Sequence, residues 1–282
     1  MIIFDLNQIL YSNIMMFVRT NKDSIISEDL IRHMVLSSIK SINTKFKSQY
    51  GNIVIACDSS NYWRRKYFTY YKASRVKQRN AIKIDWTHIF LIMSNIKKEH
   101  AEYFPYHVIN VEGAEADDVI SVLSHKYGNT DTKILIVSGD KDYIQLQKFS
   151  NVSQYDPVRK KMIKHDSPQK YLREHILRGD VGDGIPNVLS VDSSFVAGIR
   201  QKPITSKRMD HWLSLTDEEV LRDIPAENYI RNQNLIDLSK IPSDISASIF
   251  ANYETQHSKP SRLFEYFMKY NLKNLMGSIN HF

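Results

Sequence analysis

The sequence of 282 residues has little cysteine and no long apolar run. Its single Cys57 cannot form an internal disulfide, which predicts a protein of a reducing compartment. The apolar runs are short, Ile134–Val137 among them, whereas a membrane-spanning helix needs roughly 20 such residues. No secretory leader is recognisable before the first apolar segment, so we expect a cytoplasmic protein that does not bind membranes.

Several motifs of catalysis and cofactor binding are also missing. There is no Walker A sequence and no G-x-G-x-x-G, which argues against folds that bind nucleotide cofactors. The ten histidines are scattered without the HxH or HExxH spacing of zinc sites. The D-x-D of dehalogenase-type phosphatases is replaced by Asp5-Leu6-Asn7. These absences leave the carboxylates as the main candidates for chemistry.

The overall composition is that of a globular protein with a slight excess of positive charge. Apolar residues make up 42% and charged residues 24%, and the net charge is +7. Residues 59–84 contain no acid and carry +8, which leaves the rest of the chain at −1. The basic residues of this segment are Arg64, Arg65, Lys66, Lys72, Arg75, Lys77, Arg79 and Lys83.

Six aromatic residues are interspersed with these cations. Cations bind phosphates and aromatic rings stack on unpaired bases, so the segment is predicted to hold a nucleic acid. The alternative is a solvated basic helix that packs through its aromatic residues. The aromatic residues are Tyr62, Trp63, Tyr67, Phe68, Tyr70 and Tyr71.

Short apolar runs alternate with amphipathic stretches up to about residue 155, a pattern typical of a parallel sheet covered on both faces. After residue 155 we expect a hairpin near Arg159–Lys161, a tight turn at Gly179–Pro186 and otherwise helices. We place a domain boundary near residue 166, between an α/β domain (1–165) and a helical region (166–282). The last helices, at about 243–252 and 261–270, would pack back on the sheet.

Acidic residues follow three of the predicted strands. Asp5 and Asp58 come after the first and second strands, and Asp140 and Asp142 come after the strand that ends at Val137. The carboxyl ends of parallel strands form one crevice, so these side chains should converge.

Two more acidic groups bring the total to nine. Glu115, Asp117 and Asp118 open a predicted helix, and Asp180 and Asp183 lie in the Gly-rich turn. Taken singly, each acid could be a helix cap or turn former. Together they would repel one another unless cations intervened, and oxygen-only ligands favour Mg²⁺ or Mn²⁺. Two such ions could support hydrolysis of a phosphodiester.

The order of these motifs resembles the flap endonuclease / 5′→3′ exonuclease family. The resemblance covers nearly the whole chain and rests on Asp5, Asp58, Glu115–Asp118, Ser138–Asp142 and Gly179–Pro186. It implies a PIN-like α/β domain, a helix-hairpin-helix module of the helix–three-turn–helix (H3TH) type that grips duplex DNA, and two Mg²⁺ sites, where Mn²⁺ could substitute.

The resemblance also implies residue roles. The tighter metal site and its surroundings would be formed by Asp5, Asp58, Glu115, Asp117, Asp140 and Asp142. The second site would use Asp118, Asp180 and Asp183, while Lys72 and Arg75 would contact the scissile phosphate. Nucleic acid would be bound by Arg64, Arg65, Lys66, Tyr70, Tyr71, Lys77, Arg79, Gly182 and Gly184.

The implied activity is cleavage near the 5′ ends of RNA–DNA and DNA duplexes and flaps. In phage relatives this removes RNA primers during lagging-strand replication, in the host cytoplasm. Implied partners are a single-strand-binding protein and a sliding clamp, and we expect a monomer. The alternatives are a catalytically silent branched-DNA-binding protein and a PIN-type ribonuclease of single-stranded RNA. The family's G-I-G-x-K-T hairpin is absent after Pro186.

Overall fold

The protein is described by a computed structural model that covers residues 1–20, 26–80, 84–256 and 260–282. Its centre is a six-stranded sheet in the order β3-β2-β1-β4-β5-β6, parallel except for the antiparallel pair β5–β6. The strands are β1 (Ile2–Asp5), β2 (Ile53–Ala56), β3 (His107–Ile109), β4 (Ile134–Val137), β5 (Val152–Asp156) and β6 (Lys161–Ile163).

The apolar runs form the central strands because helices cover both faces of the sheet. All residues of β1, β2 and β4 are buried, and Ile2 of β1 pairs with Ile53 on one side and with Leu135 on the other. The predicted α/β class with a mostly parallel sheet is confirmed, as is the hairpin near Arg159–Lys161.

Helices connect and follow the strands. They are α1 (Leu6–Thr20), α2 (Glu28–Tyr50), α3 (Trp63–Tyr67), α4 (Ser74–Asn80), α5 (Trp86–Tyr103), α6 (Ala116–Tyr127), α7 (Pro168–Arg178), α8 (Ser206–Ser214), α9 (Asp217–Val220), α10 (Ala226–Ile236), α11 (Ser243–Thr255), α12 (Leu263–Lys269) and α13 (Lys273–Met276). Two 3₁₀ helices span Lys141–Lys148 and Ile279–His281. None of the helices in the described ranges is long and apolar enough to cross a bilayer.

Local signals account for several helix ends. Asp85 caps α5 by accepting a hydrogen bond from the His88 backbone N–H at 3.0 Å. Gly51 follows α2 with φ 81°, a left-handed conformation that favours glycine. Ser27 is at the N-cap position of α2, but its side chain makes no capping hydrogen bond.

Two apolar cores flank the sheet. One joins α1, α2 and α5 to the C-terminal segment, including Tyr266, Phe267 and Phe282. The other joins α6 to Ile245 and Ile249 of α11. The last helices therefore pack on the sheet, as expected from the sequence. The domain boundary near residue 166 stays a prediction.

A third core lies within the helical region and includes part of the basic segment. Trp212 is fully buried beside Ile176 and Leu177, and its indole N–H donates to Asp223 at 3.2 Å. Phe68 and Tyr71 belong to the same core. The alternative that the segment packs through its aromatic residues is thus correct for these two.

The chain from Asn187 to Thr205 forms turns without a helix, where the G-I-G-x-K-T hairpin is absent from the sequence. Asn187 closes this loop: its N–H donates to Gln201 at 2.7 Å and its side-chain amide donates to the Lys202 carbonyl at 2.8 Å. Arg231 of α10 donates to the Pro186 carbonyl at 2.9 Å and forms an ion pair with Asp192. The loop is held to the helical core by these polar contacts.

Candidate active site

The end of β1 carries the first acid of the site. Asp5 is 7% exposed and accepts hydrogen bonds from the Gln8 backbone N–H at 3.0 Å and from Ser138 and Tyr143 at 3.3 Å each. Burial, with the nearby Asp58, raises the pKa of Asp5 to about 7. Its environment thus disfavours a negative charge when no cation is bound.

Asp58 lies two residues beyond β2 and links the sheet to α6. Its carboxylate accepts a hydrogen bond from the Ala116 backbone N–H at 2.7 Å and another from the Asn7 amide. Burial raises the pKa of Asp58, although the positive charge of Lys72 acts in the opposite direction.

Asp140 and Asp142 follow β4 at the start of the 3₁₀ helix Lys141–Lys148, Asp140 as its N-cap and Asp142 in its first turn, and a buried glutamine holds this segment. Gln154 donates to the Ser138 and Asp140 carbonyls at 3.0 and 2.6 Å. The Asp142 N–H in turn donates to the Asp140 carboxylate at 3.0 Å. Burial and then Asp140 raise the pKa of Asp142 well above its usual range, so the two acids lie close enough to repel each other.

Tyr143 connects the acids of two different elements. Its hydroxyl contacts Asp5 at 3.3 Å and also donates to Asp117 in the first turn of α6. Burial, followed by Asp140, raises the pKa of Asp117 well above its usual range. Sequence reasoning missed Tyr143 although it directly follows the Ser138–Asp142 motif, because its contact with Asp5 spans 138 positions of the chain.

Glu115, at the N-cap position of α6, is matched by cations. Arg64 Nη1 lies 2.8 Å from one carboxylate oxygen and Lys72 Nζ lies 2.6 Å from the other. Burial acts to raise the pKa of Glu115, but Lys72 and Arg64 outweigh it and the pKa lies below its usual value. Glu115 is therefore ionised and already neutralised by the protein.

Asp118 is fully buried and its contacts are structural. Its carboxylate accepts the Glu115 backbone N–H at 2.9 Å, which completes a capping box, and accepts the Trp63 indole N–H at 3.2 Å. Arg64 Nη1 lies 2.8 Å away as an ion pair whose angles are not those of a hydrogen bond. The proposed metal role of Asp118 stays a prediction that these contacts do not favour.

The Gly-rich turn joins the site through Asp180 and Asp183. The backbones of Asp180 and Ile185 exchange two hydrogen bonds of 2.8 and 2.7 Å, and the Asp183 N–H donates to the Asp180 carboxylate at 2.8 Å. Gly184 adopts φ 71°, and a Cβ there would approach the Tyr70 carbonyl to 3.1 Å. Only glycine suits this close approach without strain.

Asp183 is the partner of the basic segment. It accepts hydrogen bonds from Tyr71 at 2.8 Å and from Arg75 at 2.5 Å, and Lys72 Nζ lies 3.7 Å away. The Lys72 backbone N–H also donates to the Asp183 carbonyl at 2.7 Å. Of the predicted catalytic pair, Lys72 therefore contacts both Glu115 and Asp183, and Arg75 contacts Asp183 in the Gly-rich turn.

The basic side chains of the site pair with only some of its acids. A cation site requires carboxylates that no basic residue of the protein already neutralises. The cations contact Glu115, Asp118 and Asp183, whereas within the described ranges no Lys or Arg forms an ion pair with the remaining acids of the sheet edge. Those acids are Asp5, Asp58, Asp117, Asp140 and Asp142. Unmatched carboxylate oxygens fit divalent cations that prefer oxygen ligands.

His175 also reaches the site, although no sequence motif pointed to it. It lies on α7, with Nε2 3.0 Å from Asp180 and Nδ1 3.5 Å from Asp142. These three side chains could hold a metal ion. The weak available signal was its position four residues before Gly179, on the helix that leads into the acidic turn.

The predicted nucleic-acid-binding residues divide into two groups. Arg64 and Tyr71 are 2% exposed and contact Glu115, and Gly184 is buried, so their assignment to nucleic-acid contact is corrected. Arg65, Lys66 and Gly182 are exposed, and Tyr70 and Arg79 are half-buried, with Arg79 over the Phe90 ring. The Lys77 side chain and Lys83 lie outside the described residues.

Comparisons with known proteins identify the family to which this chain is similar. Residues 1–175 match the model of the 5′-3′ exonuclease N-terminal resolvase-like domain, and residues 166–282 match that of the T4 RNase H C-terminal region. The ribonuclease H of Enterobacteria phage T4 is 36% identical over 91% of this chain and 88% of its own. The flap endonuclease Xni of Shewanella denitrificans is 26% identical over 55% of this chain and 61% of its own.

The fold is also similar to solved structures. The bacteriophage T5 flap endonuclease, crystallised as a pseudo-enzyme-product complex with DNA and metal ions, has a TM-score of 0.60 and 16% identity, over 90% of this chain and 99% of that one. Tyr62–Arg65, Tyr70–Lys72 and Leu275–Phe282 indicate a likeness to the ribonuclease H of T-even bacteriophages, and the T4 match confirms it. The chain therefore belongs to the 5′-3′ exonuclease family, with a C-terminal region of the T4 RNase H type.

Proposed function

We propose that the protein is a structure-specific 5′ nuclease that uses two Mg²⁺ ions to hydrolyse phosphodiesters near the 5′ ends of RNA–DNA and DNA duplexes. The observation that carries the proposal is the uneven charge of the site. In the described structure no Lys or Arg pairs with the acids that follow the three strands or with Asp117 of α6, while Lys72 and Arg75 lie on the neighbouring Glu115 and Asp183. The unmatched oxygens would hold divalent cations, and these cations together with Lys72 and Arg75 would stabilise the negative charge of a phosphate.

We assign the acids of the sheet edge to the tighter cation position. Asp5, Asp117, Asp140 and Asp142 would hold it, with Asp58 oriented nearby by Asn7 and Ala116. Asp180 and Asp183 would serve the second position from the opposite wall. Glu115 would act by orienting Lys72, because both of its oxygens already contact cations.

Lewis-acid stabilisation of the phosphate charge is what the ions would supply when bound. The protein's own residues orient this arrangement. Tyr143 fixes Asp5 and Asp117 relative to each other, and Gln154 fixes the backbone that carries Asp140. Arg75, whose side chain is 46% exposed, can exchange its contact with Asp183 for a phosphate oxygen. Lys72 is more buried and would stabilise charge from a fixed position.

Nucleic acid would approach over the exposed cations next to this site. Arg65 and Lys66 are exposed on α3, and the Gly182 carbonyl contacts Arg75 at the rim of the Gly-rich turn. Phosphate contacts there would orient the duplex without reading its sequence. The helical region that contains the Gly-rich turn would bind the duplex.

Relatives support the biological setting. A T4 protein named ribonuclease H is similar in sequence, and a T5 flap endonuclease solved with DNA is similar in fold. By analogy, we propose removal of RNA primers in phage lagging-strand replication by a monomer in the host cytoplasm. A single-strand-binding protein and a sliding clamp are the proposed partners.

Cleavage of a substrate panel tests the proposed function. The panel contains 5′-labelled RNA–DNA hybrid, DNA flap, blunt DNA duplex and single-stranded RNA, each with Mg²⁺ or EDTA. We expect Mg²⁺-dependent cleavage near the 5′ ends of the hybrid and the flap. Binding without cleavage would identify the silent DNA-binding alternative, and cleavage of single-stranded RNA alone would identify the PIN-type ribonuclease.

A further inference from the structure

His175 is placed between two acids that come from different parts of the chain. Asp142 belongs to the 3₁₀ helix after β4 and Asp180 to the Gly-rich turn, and the imidazole contacts both. We propose that His175 is a direct nitrogen ligand of the second cation and that it gives this position a preference for Mn²⁺ or Co²⁺ over Mg²⁺. This inference rests on the proposed two-ion function.

The two ring nitrogens have different surroundings. Nε2 lies 3.0 Å from Asp180 Oδ2, which is hydrogen-bond distance. The other oxygen of the same carboxylate, Oδ1, accepts the Asp183 backbone N–H at 2.8 Å. An ionised carboxylate only accepts hydrogen bonds, and so Nε2 carries the proton.

Nδ1 is the ring nitrogen on the side of Asp142. It lies 3.5 Å from Asp142 Oδ1, which exceeds a hydrogen bond to a carboxylate. Two electron-rich atoms therefore face each other across a short gap. Adjacent donors on a cation with bonds near 2.1 Å are separated by about 3 Å, so a modest adjustment would let one cation bind both atoms.

The arrangement matches a common pattern in metal sites. A metal-binding histidine usually donates its other N–H to a carboxylate, which fixes the ring and its tautomer. Asp180 would have this orienting role, because its Oδ1 already accepts the Asp183 N–H at 2.8 Å. The Tyr171 ring packs edge-on against the imidazole at 6.0 Å and limits its rotation.

A nitrogen ligand changes which metals the position prefers. Oxygen-only sites accept Mg²⁺ and Mn²⁺ alike, whereas an added imidazole nitrogen strengthens the binding of transition-metal ions such as Mn²⁺ and Co²⁺ relative to Mg²⁺. The sheet-edge position, built from carboxylates alone, would lack this preference. The two positions of one site would thus differ in selectivity, and the difference would depend on one side chain.

Pulsed electron paramagnetic resonance on the full chain loaded with two equivalents of Mn²⁺ tests the ligand directly. Directly bound imidazole gives a ¹⁴N modulation, which we expect in the wild type and in the control His211→Gln, an exposed histidine of α8. We expect its loss in His175→Gln. Absence of the ¹⁴N signal in the wild type would overturn the proposal without depending on any variant.

Calorimetric titration of the same proteins with Mn²⁺ and with Mg²⁺ separates coordination from positioning. We expect His175→Gln to weaken the second Mn²⁺ site about 10-fold or more and to change Mg²⁺ binding less than about 2-fold. Equal losses for both metals would show that His175 only positions its neighbours. A ¹⁴N signal without cleavage of any duplex would refute the nuclease proposal alone, whereas cleavage without the signal would refute only the ligand.

Discussion

Arg64 Nη1 lies 2.8 Å from a carboxylate oxygen of Glu115, and the two side chains are 2% and 1% exposed. The same guanidinium donates through Nε to the Leu235 carbonyl of α10 at 3.0 Å. Arg64 therefore joins the basic segment, the first turn of α6 and the helical region. The composition of the basic segment suggests that Arg64 binds phosphate, but in the structure Arg64 connects the elements that form the site.

Arg64→Gln should destabilise the fold. The change leaves Glu115 and Asp118 buried with less positive charge nearby, and loss of one partner from a buried ion pair costs roughly 3–5 kcal/mol. The free energy of unfolding in urea measures this effect. Exposed Arg65→Gln is the matched control and should change it by less than about 0.5 kcal/mol. Equal stabilities for the two variants would contradict the structural role of Arg64.

The double variant Arg65→Gln/Lys66→Gln should weaken duplex binding without affecting stability. The slope of log K against log salt is negative, and each lost phosphate contact reduces its magnitude by about 0.9. We therefore expect the slope to become shallower by up to about 2. The control is Arg159→Gln/Lys160→Gln in the exposed β5–β6 turn, for which we propose no role. If both double variants changed the slope equally, these two cations would have no special part in binding.

Asp142→Asn should abolish cleavage while duplex binding persists, because one carboxylate contributes to both proposed cation positions. The metal-free variant should also be more stable than the wild type by on the order of 1 kcal/mol, since a buried charge that Asp140 repels is removed. Single-turnover cleavage and urea unfolding in EDTA give the two readouts. Full activity of the variant in Mg²⁺ would refute the metal assignment.

An ion pair far from the site should make stability depend on pH. Arg32 donates two 2.8 Å hydrogen bonds to Glu99, and Tyr266 donates a third at 2.7 Å. Burial acts to raise the pKa of Glu99, but these contacts outweigh it and lower the pKa below 4.5. The stabilisation that ionised Glu99 contributes is fully present above the pKa of Glu99 in the unfolded chain. It is lost as pH falls through the lower pKa of Glu99 in the folded protein.

Glu99→Gln isolates this contribution. The variant should be less stable than the wild type by roughly 2–3 kcal/mol at pH 7, and the difference should be smaller at a second, acidic pH, because it shrinks as pH falls through the lowered pKa of folded Glu99. Urea unfolding at the two pH values measures it. A difference that is independent of pH would show that packing, rather than charge, is lost in the variant.

The sheet and its acidic edge could be predicted because the relevant signals are local. Continuous apolar runs indicate buried parallel strands, and Asp5, Asp58 and Asp140 follow those runs within a few residues. Parallel topology then brings the acids to one edge without any knowledge of side-chain contacts.

Which basic residues form buried ion pairs and which stay exposed could not be predicted, because their partners lie far away in the sequence. Arg64 meets Glu115 across 51 positions, and Lys72 meets it across 43. From composition alone, both residues would be counted as unpaired cations that could bind phosphate. In the folded protein they form ion pairs inside the site. Tyr143 and His175 were missed for a similar reason, since each contributes one side chain from a helix whose register the sequence pattern does not determine.

The central claim is that the unmatched acids form a metal-dependent 5′ nuclease site. The most direct test is single-turnover cleavage of a 5′-labelled flap by the wild type in Mg²⁺ and in EDTA, with Asp142→Asn in Mg²⁺ as the third reaction. We predict cleavage near the 5′ end in the first reaction only. Cleavage by the wild type at the same rate in EDTA would contradict the account.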